Sequence, residues 1–363
     1  MVNTTTKKFT TSCHLALLFF VLGIHRTQSL TIPFLSKTTR RKQTFQLRSA
    51  TLPPTRLGEY TTDLQQDELE QRIQGITAIA SDVDGTLLSK DHTLSNTTRQ
   101  AIIQAVQEAA RNNSHNDNGK LQHFFVATGK TRKGALDSLG PEMRELLSNL
   151  PGVFCQGLYC VDGRGNVIFE RKLPSNAIAA SEQLAAKFDT TLIGNSEDTI
   201  YCNAVGDSKL LSEVNSKWGE PKPTMIPSLT NDGPQFHKMV LMSNDVALLR
   251  DKIRPELELL AKNNGATVTT SHPTILEILP AGCSKAVGVQ MVCEHLKIDP
   301  YTQLLAMGDA ENDKGMLEMA AIGVAVGNGC PVAKAAADIV LEQHSCDGAA
   351  GLAMQHFSPL RDL

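Results

Sequence analysis

No two of the eight cysteines form a Cys-x-x-Cys pair; they stand at 13, 155, 160, 202, 283, 293, 330 and 346. That scatter excludes a zinc ribbon and a disulfide framework, and it suits a reducing compartment. Cys155 and Cys160 are close enough in sequence to pair, but a buried strand accounts for Cys155 more simply. The apolar run Cys13 to Ile24 falls short of the ~20 residues a membrane helix needs. Acids are missing altogether from Met1 to Gly58, where nine basic residues stand. The rest of the 363-residue chain therefore carries 26 basic against 38 acidic residues, a balance of -12. So acidic a body argues against a nucleic-acid-binding face.

What is present begins with an address. Lys7 and Lys8 precede the apolar run, which has the length of a signal-peptide core, and cleavage is expected near Ser29. Leu30 to Arg56 is rich in Ser, Thr and Arg, as transit peptides are. A signal followed by a transit-like stretch resembles the bipartite presequences of algae with complex plastids. The expected location is the plastid (chloroplast), with secretion and mitochondrial import as the alternatives. Residues 1–56 are set apart from the fold on this reading.

The stretch Ala78-Ile79-Ala80-Ser81-Asp82-Val83-Asp84-Gly85 organises the remainder. A short apolar run reads as a buried strand of a parallel sheet, with two carboxylates at its C-terminal end. Residues i and i+2 of an extended chain share a side, so Asp82 and Asp84 can face one site. Ser95 to Arg111 then reads as a helix, and His123 to Ala127 as a second buried strand ending at Thr128. A helix follows from near Thr131 to about Leu139, and a third strand is Gly152 to Cys155. Three such strand–helix steps predict an α/β fold with a doubly wound, Rossmann-like parallel sheet.

From about Asp162 to Leu279 the pattern changes to mixed strands and helices. Ala247 to Asn263 is helical, with Arg254-Pro255 marking its start or a kink. The expected layout is a core of 75–161 and 280–363, interrupted by an α+β cap over 162–279. After Gly282 the parallel pattern resumes. Lys285 to Leu296 is a helix, and Gln303 to Met307 is a strand ending at Gly308-Asp309.

Four clusters thus fall at strand ends or a helix start: Asp82 with Asp84, Thr128, Lys285, and Asp309 with Asn312 and Asp313. Carboxylates and a lysine converging there suit a hard divalent cation and an anionic substrate. A carboxylate can attack phosphorus to form an aspartyl-phosphate, provided cations cancel its repulsion with the phosphate. Asp84 can then protonate the leaving alcohol and activate water.

The segments Ser81 to Leu88, Ala127-Thr128-Gly129, Ala281 to Lys285 and Gly308 to Leu317 resemble the four ordered motifs of the haloacid dehalogenase superfamily. Gly323 to Gly329, with Asp338 and Asp347-Gly348, narrows the resemblance to its Cof-type small-molecule phosphatases. That resemblance implies Asp82 as nucleophile and Asp84 as acid/base. It implies phosphate binding by Thr128, Lys285 and Asn312. It implies Mg2+ bound by the Asp82 carboxylate, the Asp84 backbone carbonyl and Asp309, with Asp313 in support. The implied partner is a small phosphorylated molecule, with no nucleic acid and no membrane for the mature form. A phosphomutase, a dehalogenase or a non-catalytic phosphate-binding member are the alternatives; Asp84 disfavours the dehalogenase. Two residues depart from the usual pattern, Lys130 for Arg and Gln156 for Asn; neither is expected to touch the chemistry, but both can alter substrate contacts. His237, Lys238 and His272 are left outside the site.

Overall fold

A computed structural model describes residues 43–45, 59–115 and 120–362; most of the expected presequence lies outside them. Ten strands form one sheet in the order Gln43–Phe45, Tyr60–Thr62, Ile339–Leu341, Ile322–Ala325, Leu304–Gly308, Ala78–Ser81, His123–Ala127, Gly152–Phe154, Tyr159–Val161 and Val167–Glu170. The six central strands run parallel, and the two at each edge pair antiparallel. The central strand Ala78–Ser81 is buried on both sides: Ile79 joins one hydrophobic cluster, Ala78 and Ala80 the other. Helices Asn96–His115 and Ala349–His356 cover the first face. Lys285–Leu296 and Lys314–Met319 cover the second. Apolar runs covered on both faces are what a doubly wound parallel sheet requires.

Six further strands make a second sheet in the order Thr224–Met225, Thr199–Cys202, Thr191–Ser196, Lys238–Met242, Ile275–Pro280 and Ala266–Thr269. Alternation sorts its side chains. Leu192, Met239, Leu241, Leu276 and Ile278 pack with helices Ser175–Phe188 and Arg254–Asn263. Ile193, Val240, Met242 and Ile275 occupy the opposite face. This layer is the cap, inserted between the third parallel strand and helix Lys285–Leu296.

Three details differ from expectation. Val167–Glu170, placed with the insert by sequence, pairs with Tyr159–Val161 in the first sheet. Gln43–Phe45, placed in the presequence, pairs with Tyr60–Thr62. The helix expected over 247–263 runs through a π turn at Leu249–Ile253 before resuming at Arg254. That wider turn lies just ahead of Pro255, which has no N–H for the carbonyl four residues back.

Candidate active site

Strand ends bring the carboxylates together. Asp82 follows Ala78–Ser81 directly, and its N–H bonds the Met307 carbonyl of the neighbouring strand at 3.0 Å. Gly85 then turns the chain at φ 84°, where a Cβ would overlap the Asp309 carboxylate. Both the backbone angle and the space demand glycine. Across the sheet, Leu304–Gly308 delivers Asp309, and Thr86 Oγ1 donates to Asp309 Oδ1 at 3.2 Å.

Lys285 opens its helix, whose N-cap Ser284 accepts from Val287 N–H. Its Nζ donates to Asp82 Oδ1 at 2.7 Å and to Asp313 Oδ1 at 2.5 Å, and the residue is 1% exposed. Burial works against this ammonium, but the carboxylates of Asp313 and Asp82 outweigh it and raise its pKa. The other oxygen of Asp313 accepts the N–H groups of Asp309 and Ala310, each at 2.9 Å. Asp313 therefore spends both oxygens fixing the lysine and the loop.

The acids are crowded. Burial, with Asp313 and Asp84 nearby, pushes the Asp82 carboxyl up to about 7 against the opposing Lys285. Burial, followed by the charges of Asp82 and Asp313, puts Asp309 well above the usual carboxylate range. Carboxylate oxygens of Asp82, Asp309 and Asp313 lie within 4.8 Å of one another. One ammonium among three acids leaves two negative charges uncompensated, and the donors are all hard oxygens. A divalent cation fits this set.

Asp84 shares the site but points elsewhere. Its Oδ1 lies 2.9 Å from Lys130 Nζ and 3.3 Å from His92 Nδ1. Burial opposes ionisation, yet His92 and Lys130 together hold this carboxyl below its usual range. Lys130, expected to stand apart from the chemistry, is thus the ion partner of the acid/base candidate. Thr128 ends its strand fully buried, with Oγ1 accepting the Lys130 N–H at 3.2 Å. Asn312 reaches the site, but its amide N–H donates to Gln156 Oε1 at 2.9 Å and its Oδ1 has no partner among the described residues. Gln156, the other departure, sits at φ 62° and passes its own Nε2 to Glu277 of the cap at 2.6 Å.

That contact belongs to a buried seam joining core and cap. Glu277 pairs with Lys238, whose Nζ also donates to the Gly129 carbonyl at 2.7 Å. Glu220 accepts from Thr131 Oγ1 at 2.6 Å and from its N–H at 3.1 Å, and burial pushes its carboxyl up to about 7. Beneath the seam lies a cavity of about 590 Å³, lined by Asp82, Asp84, Thr128, Asp309 and Asn312 from the core. Lys238 and His272 line it as well, whereas His237 is buried against Glu170 and Lys172. The sequence marked Lys130 and Gln156 as departures. Nothing in it marked Glu220 or Glu277, because their partners in the core lie 89 and 121 residues away.

The comparisons with known proteins follow the same lines. The model of haloacid dehalogenase-like hydrolases matches residues 79–352. The 5-amino-6-(5-phospho-D-ribitylamino)uracil phosphatase YcsE of Bacillus subtilis is 28% identical over 76% of this chain and 93% of its own. An HMP-PP phosphatase of Yersinia pseudotuberculosis is 25% identical over 70% of this chain and 85% of its own. The chloroplastic endoribonuclease YBEY of Arabidopsis thaliana is 28% identical over 80% of this chain, which spans only 50% of that protein. A solved sugar phosphatase of haloacid dehalogenase subclass IIB superposes with a TM-score of 0.63 at 22% identity, covering 77% of this chain and 98% of its own.

Proposed function

The chain belongs to the haloacid dehalogenase-like hydrolases, in their Cof-type branch, and from that premise we propose that it is a Mg2+-dependent phosphatase of small soluble phosphomonoesters. The observation that carries the reading is the buried Lys285 bridge between Asp82 and Asp313, set beside Asp309 at the floor of a capped cavity. Sugar phosphates, nucleotide-derived phosphates and cofactor phosphates are the candidate classes of substrate.

Asp82 is the nucleophile. Lys285 holds its carboxylate at the strand end and offers the arriving phosphate a positive charge. Attack forms the Asp82 acyl-phosphate bond and breaks the bond from phosphorus to the leaving oxygen. Asp84 gives that oxygen a proton, then takes one from the water that hydrolyses the aspartyl-phosphate. Lys130 and His92 keep Asp84 ionised in the free site, the form that activates water. The negative charge of bound phosphate favours proton uptake there before the alcohol leaves. Thr128 and Asn312 would donate to phosphate oxygens, Asn312 by exchanging Gln156 for the substrate. Asp82 and Asp309, with the Asp84 carbonyl, would hold the Mg2+, which when bound supplies charge neutralisation for the transferring phosphoryl group.

Steady-state hydrolysis of a panel of phosphomonoesters tests the proposal. Asp82→Asn is expected to lower kcat by several orders of magnitude without shifting the far-ultraviolet spectrum, and EDTA to silence the wild type until Mg2+ is returned. Chelator-resistant turnover, or substantial activity in Asp82→Asn, contradicts it. We also infer that residues 1–56 direct the chain to a plastid; a fluorescent fusion of that segment remaining in the cytosol defeats this.

A further inference from the structure

We propose that the alcohol released is a flat, largely apolar ring carrying one hydrogen-bond donor, and not a polyhydroxylated sugar; this rests on the phosphatase reading. The cap wall of the cavity carries it. Ile193, Ile200, Val214, Trp218, Val240 and Met242 all line the space above the acidic floor. They come from three strands, one helix and the loop after it, so strand alternation and helix packing combine to present a single apolar surface. Trp218 is fixed there by an edge-on contact with His272, ring centroids 5.0 Å apart.

Polar side chains on the same face are mostly spent. Lys238 and Glu277 satisfy each other, and Glu277 also accepts from Gln156 and from Ser271 Oγ at 2.6 Å. Asn195 is the exception. It stands opposite Lys238 in the sheet register, lines the cavity and is 2% exposed. Its Oδ1 is buried without a hydrogen-bond partner among the described residues. A buried acceptor without a donor is costly, and a ligand N–H or O–H would relieve it. A sugar stacked on the strands would bring several hydroxyls to a sheet face that offers one such partner, and each hydroxyl turned to that face without one loses its bond to water. A flat ring covers the apolar wall and needs only that one contact. The cavity, about 590 Å³, leaves room for such a group beyond the phosphate.

The only tryptophan of the chain makes binding directly readable. In the Asp82→Asn variant with Mg2+, quenching of Trp218 is titrated with 3-hydroxybenzyl phosphate, benzyl phosphate and glucose 6-phosphate. Benzyl phosphate is expected to bind at least about tenfold more tightly than glucose 6-phosphate, from the apolar area covered. The hydroxyl is expected to add about fivefold, and Asn195→Ala to bring that ratio close to one. Glucose 6-phosphate binding as tightly as the ring esters, or no quenching by either ring ester, overturns the inference. So does a hydroxyl preference that survives Asn195→Ala. Turnover of the same esters by the wild-type enzyme separates the two readings. The expected binding order without hydrolysis would remove the phosphatase and keep the ring; hydrolysis with glucose 6-phosphate preferred would do the reverse.

Discussion

Replacing Lys285 with Met removes the one cation among the acids while keeping the length of the side chain. The ammonium is 1% exposed and bonds Asp82 and Asp313, so no water stands ready to replace it. Removing one partner of a buried ion pair typically costs about 3–5 kcal/mol, because the other charge stays buried and unpaired. A folded body of roughly 300 residues has an unfolding entropy near 0.6 kcal/mol/K, so Tm should fall by about 5–8 °C at neutral pH. The sign of the pH dependence follows from Asp82. Its carboxyl already stands at about 7 with the lysine present, and without it the value moves higher. A carboxyl raised in the folded state contributes stability that is full below its unfolded value and lost as pH climbs through the folded one. The variant should therefore approach wild-type Tm near about pH 5 and diverge from it towards about pH 8. Thermal denaturation followed by circular dichroism, with EDTA present, gives both curves. A deficit equal at the two pH values would mean that only packing was lost, and the electrostatic account of Lys285 would fail.

Glu220→Gln keeps an acceptor for Thr131 but cannot ionise. The rise of Glu220 from the ordinary 4.5 to about 7 corresponds to about 3 kcal/mol at 1.36 per unit. That contribution is present below 4.5 and lost as pH rises through 7. The variant should accordingly be more stable than wild type in mild alkali and indistinguishable in acid; parallel Tm profiles would discount the burial of Glu220. Lys130→Met takes from Asp84 one of the two groups that hold its carboxyl low, so the acid limb of the rate of aspartyl-phosphate hydrolysis, the step that needs Asp84 as base, should move to higher pH in single-turnover measurements. An unmoved limb would dissociate Lys130 from the acid/base group.

The fold was readable where apolar runs were long or punctuated by Gly and Asp: the strand before Asp82, the strand before Asp309, and the helix begun by Lys285. Short strands one in from the edge, such as Tyr60–Thr62 and Tyr159–Val161, carry three residues each, too few for period two to stand out. Val167–Glu170 was visible as a strand, but its sheet was not, because pairing partners are chosen in three dimensions. The converging acids could be placed by strand ends alone. The direction of Asp84 towards Lys130, and the Gln156–Glu277 contact across the seam, depend on how the cap rests on the core. No local pattern encodes that.

If the proposed presequence is removed, the antiparallel pairing of Gln43–Phe45 on Tyr60–Thr62 makes the position of the cut matter. A processing protease cutting ahead of Gln43 leaves the sheet ending in that added strand. One cutting between 46 and 58 strips it away and exposes the outer backbone row of Tyr60–Thr62, an open template for pairing with another chain. The position of the cut would then decide how readily the mature protein self-associates, while the residues of the acidic site stay the same.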